Sequence, residues 1–99
     1  MFNGDKYVTC GISAAIPSFL QLILWHIIDT MSIKEKDYLQ VFELSADIQM
    51  GKQKQKIIHF QEQPKFKEEF IITTISTITE KIYIIDDGSY STTTLASEY

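Results

Sequence analysis

"IPSFLQLILWHIIDTM", residues Ile16 to Met31, decides the fold, because it is the one strong helical signal in the chain. Pro17 suits a first helical turn: its fixed φ is helical and its missing N–H has no partner there anyway. Leu20, Ile23, Leu24, Ile27 and Met31 then recur at three- and four-residue spacing. That period predicts a helix from about residue 17 to 31, roughly 22 Å long at 1.5 Å per residue. On a helical wheel Ile16, Leu20, Ile23, Leu24, Ile27, Ile28 and Met31 fill one broad sector, the face expected to meet a core. Phe19, Leu22 and Trp25 fall outside it, among Ser18, Gln21, His26 and Asp29, as a second apolar stripe. Two readings of that stripe stand. Either the N-terminal segment with Phe2, or a neighbouring strand, folds over it within the monomer. Or Phe19, Leu22, Trp25 and His26 form an interface, for which Trp and Phe are typical anchors.

Outward from the helix, everything reads as strand. "KYVTCGI", Lys6 to Ile12, is β-branched and aromatic and precedes it. After the polar "SIKEKD" comes "DYLQVFELSA", with Leu39, Val41 and Glu43 alternating against Tyr38, Gln40, Phe42 and Leu44. A turn is expected around Gly51, then "KIIHFQEQ" as a strand ended by Pro64, which has no N–H for a ladder. "EEFIITTI" and "EKIYIID" are two more strands. "SYSTTTLASEY" reads as a last strand, with Ser91 also placed to cap a short terminal helix. The order is β-α-β-β-β-β-β. Short links favour antiparallel neighbours, since parallel pairs need long crossovers. One apolar helix and one sheet bury each other as two layers. The expected fold is therefore α+β: a single helix packed on a curved, mostly antiparallel sheet of five to six strands, a roll.

The chain has 99 residues, room for one domain spanning 1–99. Its 44% apolar content excludes an intrinsically disordered chain. A lone cysteine, Cys10, allows no internal disulfide and no cysteine-based zinc cluster. In an apolar strand it reads as a small core residue. The net charge is −4 and all nine basic residues are lysines, so the bidentate arginine contacts of nucleic-acid binders are missing. "KQKQK", Lys52 to Lys56, is the only basic concentration and reads as a hairpin loop or a lysine-guarded strand edge. No apolar run approaches the ~20 residues that cross a bilayer, and the N-terminus lacks a cationic export lead. A cytoplasmic protein with no nucleic-acid or membrane partner is expected.

"IIDDGSY", Ile84 to Tyr90, invites a chemical reading through Asp86, Asp87 and Ser89. Asp87-Gly88 between two strands is, however, the signature of a two-residue type I′ turn. That turn would pair Asp86 with Ser89 and Ile85 with Tyr90. A calcium loop counted from Asp87 fails at its sixth position, where Thr92 stands in place of the required glycine. His59 and Glu62 are three apart, so on a strand they point to opposite faces and cannot share an ion. With no phosphate loop, zinc spacing or nucleophile elbow, no metal, cofactor or catalytic residue is assigned.

"YVTCGI", "IPSFLQLILW", "DYLQVFELS", "QKIIHFQEQP", "KIYIIDDG" and "LASEY", in this order and spacing, resemble a small bacterial family, domain of unknown function 960. The resemblance spans nearly the whole chain. It implies a cytoplasmic protein of low-GC Gram-positive bacteria and their mobile elements, and it brings no known site residues, cofactor or partner. The expected function is a non-enzymatic interaction module, an adaptor or homodimer, working through the Phe19–Leu22–Trp25 face or an open sheet edge. The alternative is a small-ligand-binding or hydrolytic roll with a pocket lined by His59, Glu62, Tyr83 and Asp86.

Overall fold

The computed structural model describes residues 2–99. Strand β1 (Asp5–Val8) leads into a short helix α1 (Cys10–Ala15), followed by the main helix α2 (Ser18–Asp29). Five strands complete the chain: β2 (Leu39–Gln49), β3 (Lys52–Gln61), β4 (Phe66–Ile72), β5 (Glu80–Asp86) and β6 (Tyr90–Leu95), with a 3-10 turn over Ala96–Glu98. The six strands form one sheet in the order β1-β6-β5-β2-β3-β4. Every neighbouring pair is antiparallel except β1 with β6. The α+β class and the helix-on-sheet layering are as the sequence predicts.

Three local expectations change. The strand expected through Ile12 stops at Val8, because Thr9 turns extended and caps α1, its Oγ1 accepting from the Ile12 N–H at 3.3 Å. Cys10 is consequently exposed in the first turn of α1 and is no core residue. Pro17 is the cap of α2, just outside the helix, with its carbonyl accepting from the Leu20 and Gln21 N–H groups. The β5–β6 turn sits one residue later than predicted. The Asp87 N–H donates to the Tyr90 carbonyl at 2.8 Å, closing a turn on Gly88 and Ser89 in which Gly88 takes φ +99. Glycine at the first central position with positive φ is the type II′ pattern. Asp86 thus pairs with Ser91 and Ile85 with Thr92. A two-residue change of partner keeps each side chain on its predicted side of the sheet.

The core lies between the sheet and the two helices. Leu20, Leu24, Ile27 and Ile28 from α2 and Ile12 from α1 meet Phe42, Leu44, Ile57, Ile82 and Ile84 from β2, β3 and β5. The side-chain period of two makes this choice of strand residues: the even positions of β2 and β5 and the odd positions of β3 face the helices. The polar Gln53 and Gln55 of "KQKQK" fall on that side, and Lys52, Lys54 and Lys56 on the other. The lysine run is thus a strand segment and no loop: Lys56 lies between β2 and β4, while Lys52 and Lys54 lie beyond the last β4 partner and form an open edge of β3.

Candidate functional site

The four residues expected to line a pocket do not come together. His59 lies on the helix side of β3, fully buried. Its ring stacks on Phe42 at 4.5 Å between centroids, with Phe66 edge-on at 6.0 Å. Gln40 uses its Nε2 to donate to Gln61 Oε1 (2.7 Å) and to the Asp37 carbonyl (2.9 Å). Its Oε1 therefore accepts, and His59 Nε2–H donates to it at 2.6 Å. The other ring nitrogen, Nδ1, has no hydrogen-bond partner. Burial pushes the imidazole down to about 4, so it is neutral near pH 7. Gln61 Nε2 in turn donates to the Glu35 and Pro64 carbonyls. The chain of His59, Gln40 and Gln61 thus fastens two loops to the sheet.

Tyr83 pairs with Val41, so its side chain stands on the opposite face from His59. Asp86 ends β5 on the helix side, its Oδ1 accepting from Gly88 N–H and Ser91 Oγ at 3.4 Å each. Glu62 is exposed in the β3–β4 loop. Parity alone separates Tyr83 from His59 and Asp86, so the pocket expectation fails for a geometric reason. Among the described residues, no three His, Cys, Asp or Glu side chains are placed to hold a metal ion.

The helix stripe is also divided. Phe19 and Leu22 are 50% and 69% exposed, but Trp25 is only 8% exposed. Phe2 meets the indole edge-on at 6.3 Å, and Lys6 places its ammonium 5.0 Å from the ring centroid. The N-terminal segment has folded over one end of the stripe and taken Trp25 into the core. His26 is exposed beside it, its carbonyl accepting from Thr30 N–H and Oγ1. Two outward side chains remain where three were expected.

A second apolar surface lies on the other side of the molecule. Phe60, Val41 and Tyr83 stand directly opposite one another across β3, β2 and β5. Leu39 and Ile85 form the next rank, and Ile58 flanks Phe60 on the same side of β3. None of these belongs to the helix-covered core. Val41 and Ile85 are shielded by neighbouring side chains, among them Tyr99, whose ring stands 5.5 Å from Tyr83. Phe60, Ile58 and Tyr83 are half-buried.

Two concavities open on this face. One, about 530 Å³, has Phe60 among its lining, with Glu43, Glu62, Lys65 and Lys67 around it. The other, about 250 Å³, lies at the far end of β5 between Ile85, Tyr99, Thr92, Thr94, Asp87 and Glu98. Glu98 is held there by Thr9 Oγ1–H at 2.6 Å and by the Leu95 and Gly11 N–H groups at 3.0 and 3.1 Å. The Thr9 hydroxyl first, then the Leu95 amide, keep its carboxyl below the ordinary carboxylate range.

Reading by single faces passed over Phe60, Val41, Ile58 and Ile85. Their signal is in the sequence: "LQVFEL", "KIIHF" and "KIYII" are apolar on both parities. That is the composition of strands that bury both faces.

Residues 5–98 match a family model described as Staphylococcal protein of unknown function (DUF960). Among solved structures, the crystal structure of a protein of unknown function from Enterococcus faecalis is similar, with a TM-score of 0.76. The two share 22% identity over 98% of this chain and 92% of that one, a likeness of fold. No curated protein matches the chain.

Proposed function

Since the chain belongs to that Staphylococcal family of unknown function, DUF960, we propose from its geometry that it is a non-enzymatic protein-interaction module. The docking surface in this reading is the helix-free face of the sheet. One observation carries it: β2, β3 and β5 are apolar on both faces, while helices cover only one. Buried apolar surface is worth about 25 cal/mol per Å², so a second cover over Phe60, Ile58 and Tyr83 is favourable. Aromatic side chains ringed by mixed charges, here Glu43, Lys67, Glu69 and Lys81, are the usual make-up of an interface. Phe19 and Leu22, both exposed on α2, offer the alternative patch. Strand addition is disfavoured at both sheet edges: β4 carries Lys67, Glu68 and Glu69, and β1 is four residues long.

The double substitution Phe60→Lys/Tyr83→Lys tests the reading against Leu22→Lys as the comparison. Association is measured in two ways: light scattering of the pure chain, and capture of proteins from a bacterial lysate. The sheet-face variant is expected to lose what the wild type binds, and Leu22→Lys to keep it. Retention of every association by Phe60→Lys/Tyr83→Lys, with native circular dichroism, refutes the proposal.

A further inference from the structure

Resting on that reading of the open face, we infer that its partner is a second copy of this chain, with the β2–β3 arm of each copy seated in the Asp87–Glu98–Tyr99 cleft of the other. The arm is a specific feature of the topology. β5 leaves β2 at Leu44 and β4 leaves β3 at Gln55, yet β2 and β3 go on pairing to Gln49 and Lys52. From Leu44 to Met50 that is a projection of roughly 20 Å at the rise of a strand. Met50 at its tip is fully exposed. Met50 and Gly51 have φ of 52 and 77, the two positive values of a type I′ turn. Asn or Gly relaxes that first position; a methionine there is strained and leaves its whole thioether chain in water. Nothing within the monomer uses it.

The charges of arm and cleft are complementary. Lys52 and Lys54 project on the open face, and the only ion pair among the described residues is Lys56 with Glu69 at 3.0 Å. Lys54 faces Asp47 across the ladder without an ion pair; its ammonium donates to Thr73 Oγ1 at 3.4 Å. At the other end of the sheet, Asp87 accepts no hydrogen bond through its carboxylate among the described residues, and Glu98 is fixed as an anion beside it. Between them lie Ile85 and Tyr99, which with Thr9, Thr92 and Thr94 complete a cleft of about 250 Å³. Methionine, flexible and polarisable, suits an irregular seat of this kind.

Lys52 and Lys54 of the arm lie on the same face as the cleft, at the opposite end of β2, so one two-fold rotation satisfies both contacts at once. Such an isologous arrangement closes as a dimer, whereas a one-way contact would grow into a chain. In the closed dimer the lysine stems of each arm run along the Phe60–Val41–Tyr83 rank of the other, a surface that accepts both methylenes and ammonium groups.

Sedimentation equilibrium of the full chain at micromolar concentration, in low and in moderate salt, tests this. The wild type is expected to be a dimer that weakens with salt. Lys52→Glu/Lys54→Glu, Asp87→Lys and Met50→Asn are each expected to be monomers with native circular dichroism. Mixing the Lys52→Glu/Lys54→Glu chain with the Asp87→Lys chain should restore a dimer, because the swapped charges attract in both contacts. A wild-type monomer in low salt, dimers in all three variants, or species growing beyond the dimer would each overturn the inference. A monomeric wild type that captures a lysate protein through Phe60 and Tyr83 overturns the second copy and leaves the interaction module standing.

Discussion

Acidification should unload stability from this protein through one side chain, His59. In the native state burial pushes its imidazole down to about 4, from an ordinary value of 6.5 in the unfolded chain. Between those two values the unfolded chain binds the proton and the native chain does not, so stability falls as pH falls. The stability is fully present above about pH 6.5 and is lost progressively down to about pH 4. At about 1.4 kcal/mol per pH unit, the loss reaches roughly 3 kcal/mol. Against a total of about 5–15 kcal/mol for a small domain, that is a large share. The cause is geometric. Protonation would place a cation between Phe42 and Phe66 with no exposed surface. Glu68 of β4 stands opposite His59 in register, but no hydrogen bond joins the pair among the described residues. The assay is urea unfolding followed by fluorescence of the single tryptophan, Trp25, at a series of pH values from 7 to 4. Carboxylates titrate in the same window, so the measurement is the difference between wild type and His59→Gln. The variant will be less stable throughout, yet its curve should be flatter by that roughly 3 kcal/mol. Two parallel curves would refute the reasoning, and so would a native His59 titrating near 6.5 by NMR.

Three further outcomes follow from the packing. Trp25→Ala removes a core ring from between Phe2 and the helix layer, and should cost about 3–5 kcal/mol in chemical unfolding followed by circular dichroism. A loss below about 1 kcal/mol would return Trp25 to the surface. Gln55→Ala leaves the Ile78 N–H without the acceptor it now has at 2.8 Å, and the carbonyls of Ser45 and Ile78 without their donor. It should cost about 1–3 kcal/mol by the same method, with faster amide exchange at Ile78. Met50→Asn relieves a positive φ at the hairpin tip and, compared at a dilution where both chains are monomers, should raise stability by about 1 kcal/mol; a lower melting temperature there would show that the turn is unstrained.

Much of the fold was legible because it rests on local periodicity. Residues Leu20, Leu24, Ile27 and Ile28 recur at helical spacing and are buried in α2, and "EKIYIID" is strand β5 to the residue. The β1–α1 boundary was not legible, since Val8, Cys10 and Ile12 suit a strand as well as a helix and the deciding contact is remote. Thr9 caps α1 while its hydroxyl donates to Glu98, 89 positions away. The candidate sites were less legible still. His59 looked chemical because histidine and glutamate are chemical residue types. It is core because its strand parity turns it toward Phe42 and Gln40.

By itself the sequence determined the class of structure: one main amphipathic helix, strands of known parity and a lysine run without arginine. These follow from side-chain size, charge and the periods of 3.6 and 2, which act within a few residues. Only the tertiary structure decided which side of that sheet is covered. Whether Trp25 is an anchor or a core residue depended on Phe2 and Lys6 arriving from the chain's beginning. Whether Phe60 and Tyr83 are core or surface depended on where two helices came to lie. Strand parity assigns a residue to a face, but what covers that face is settled by segments far away along the chain.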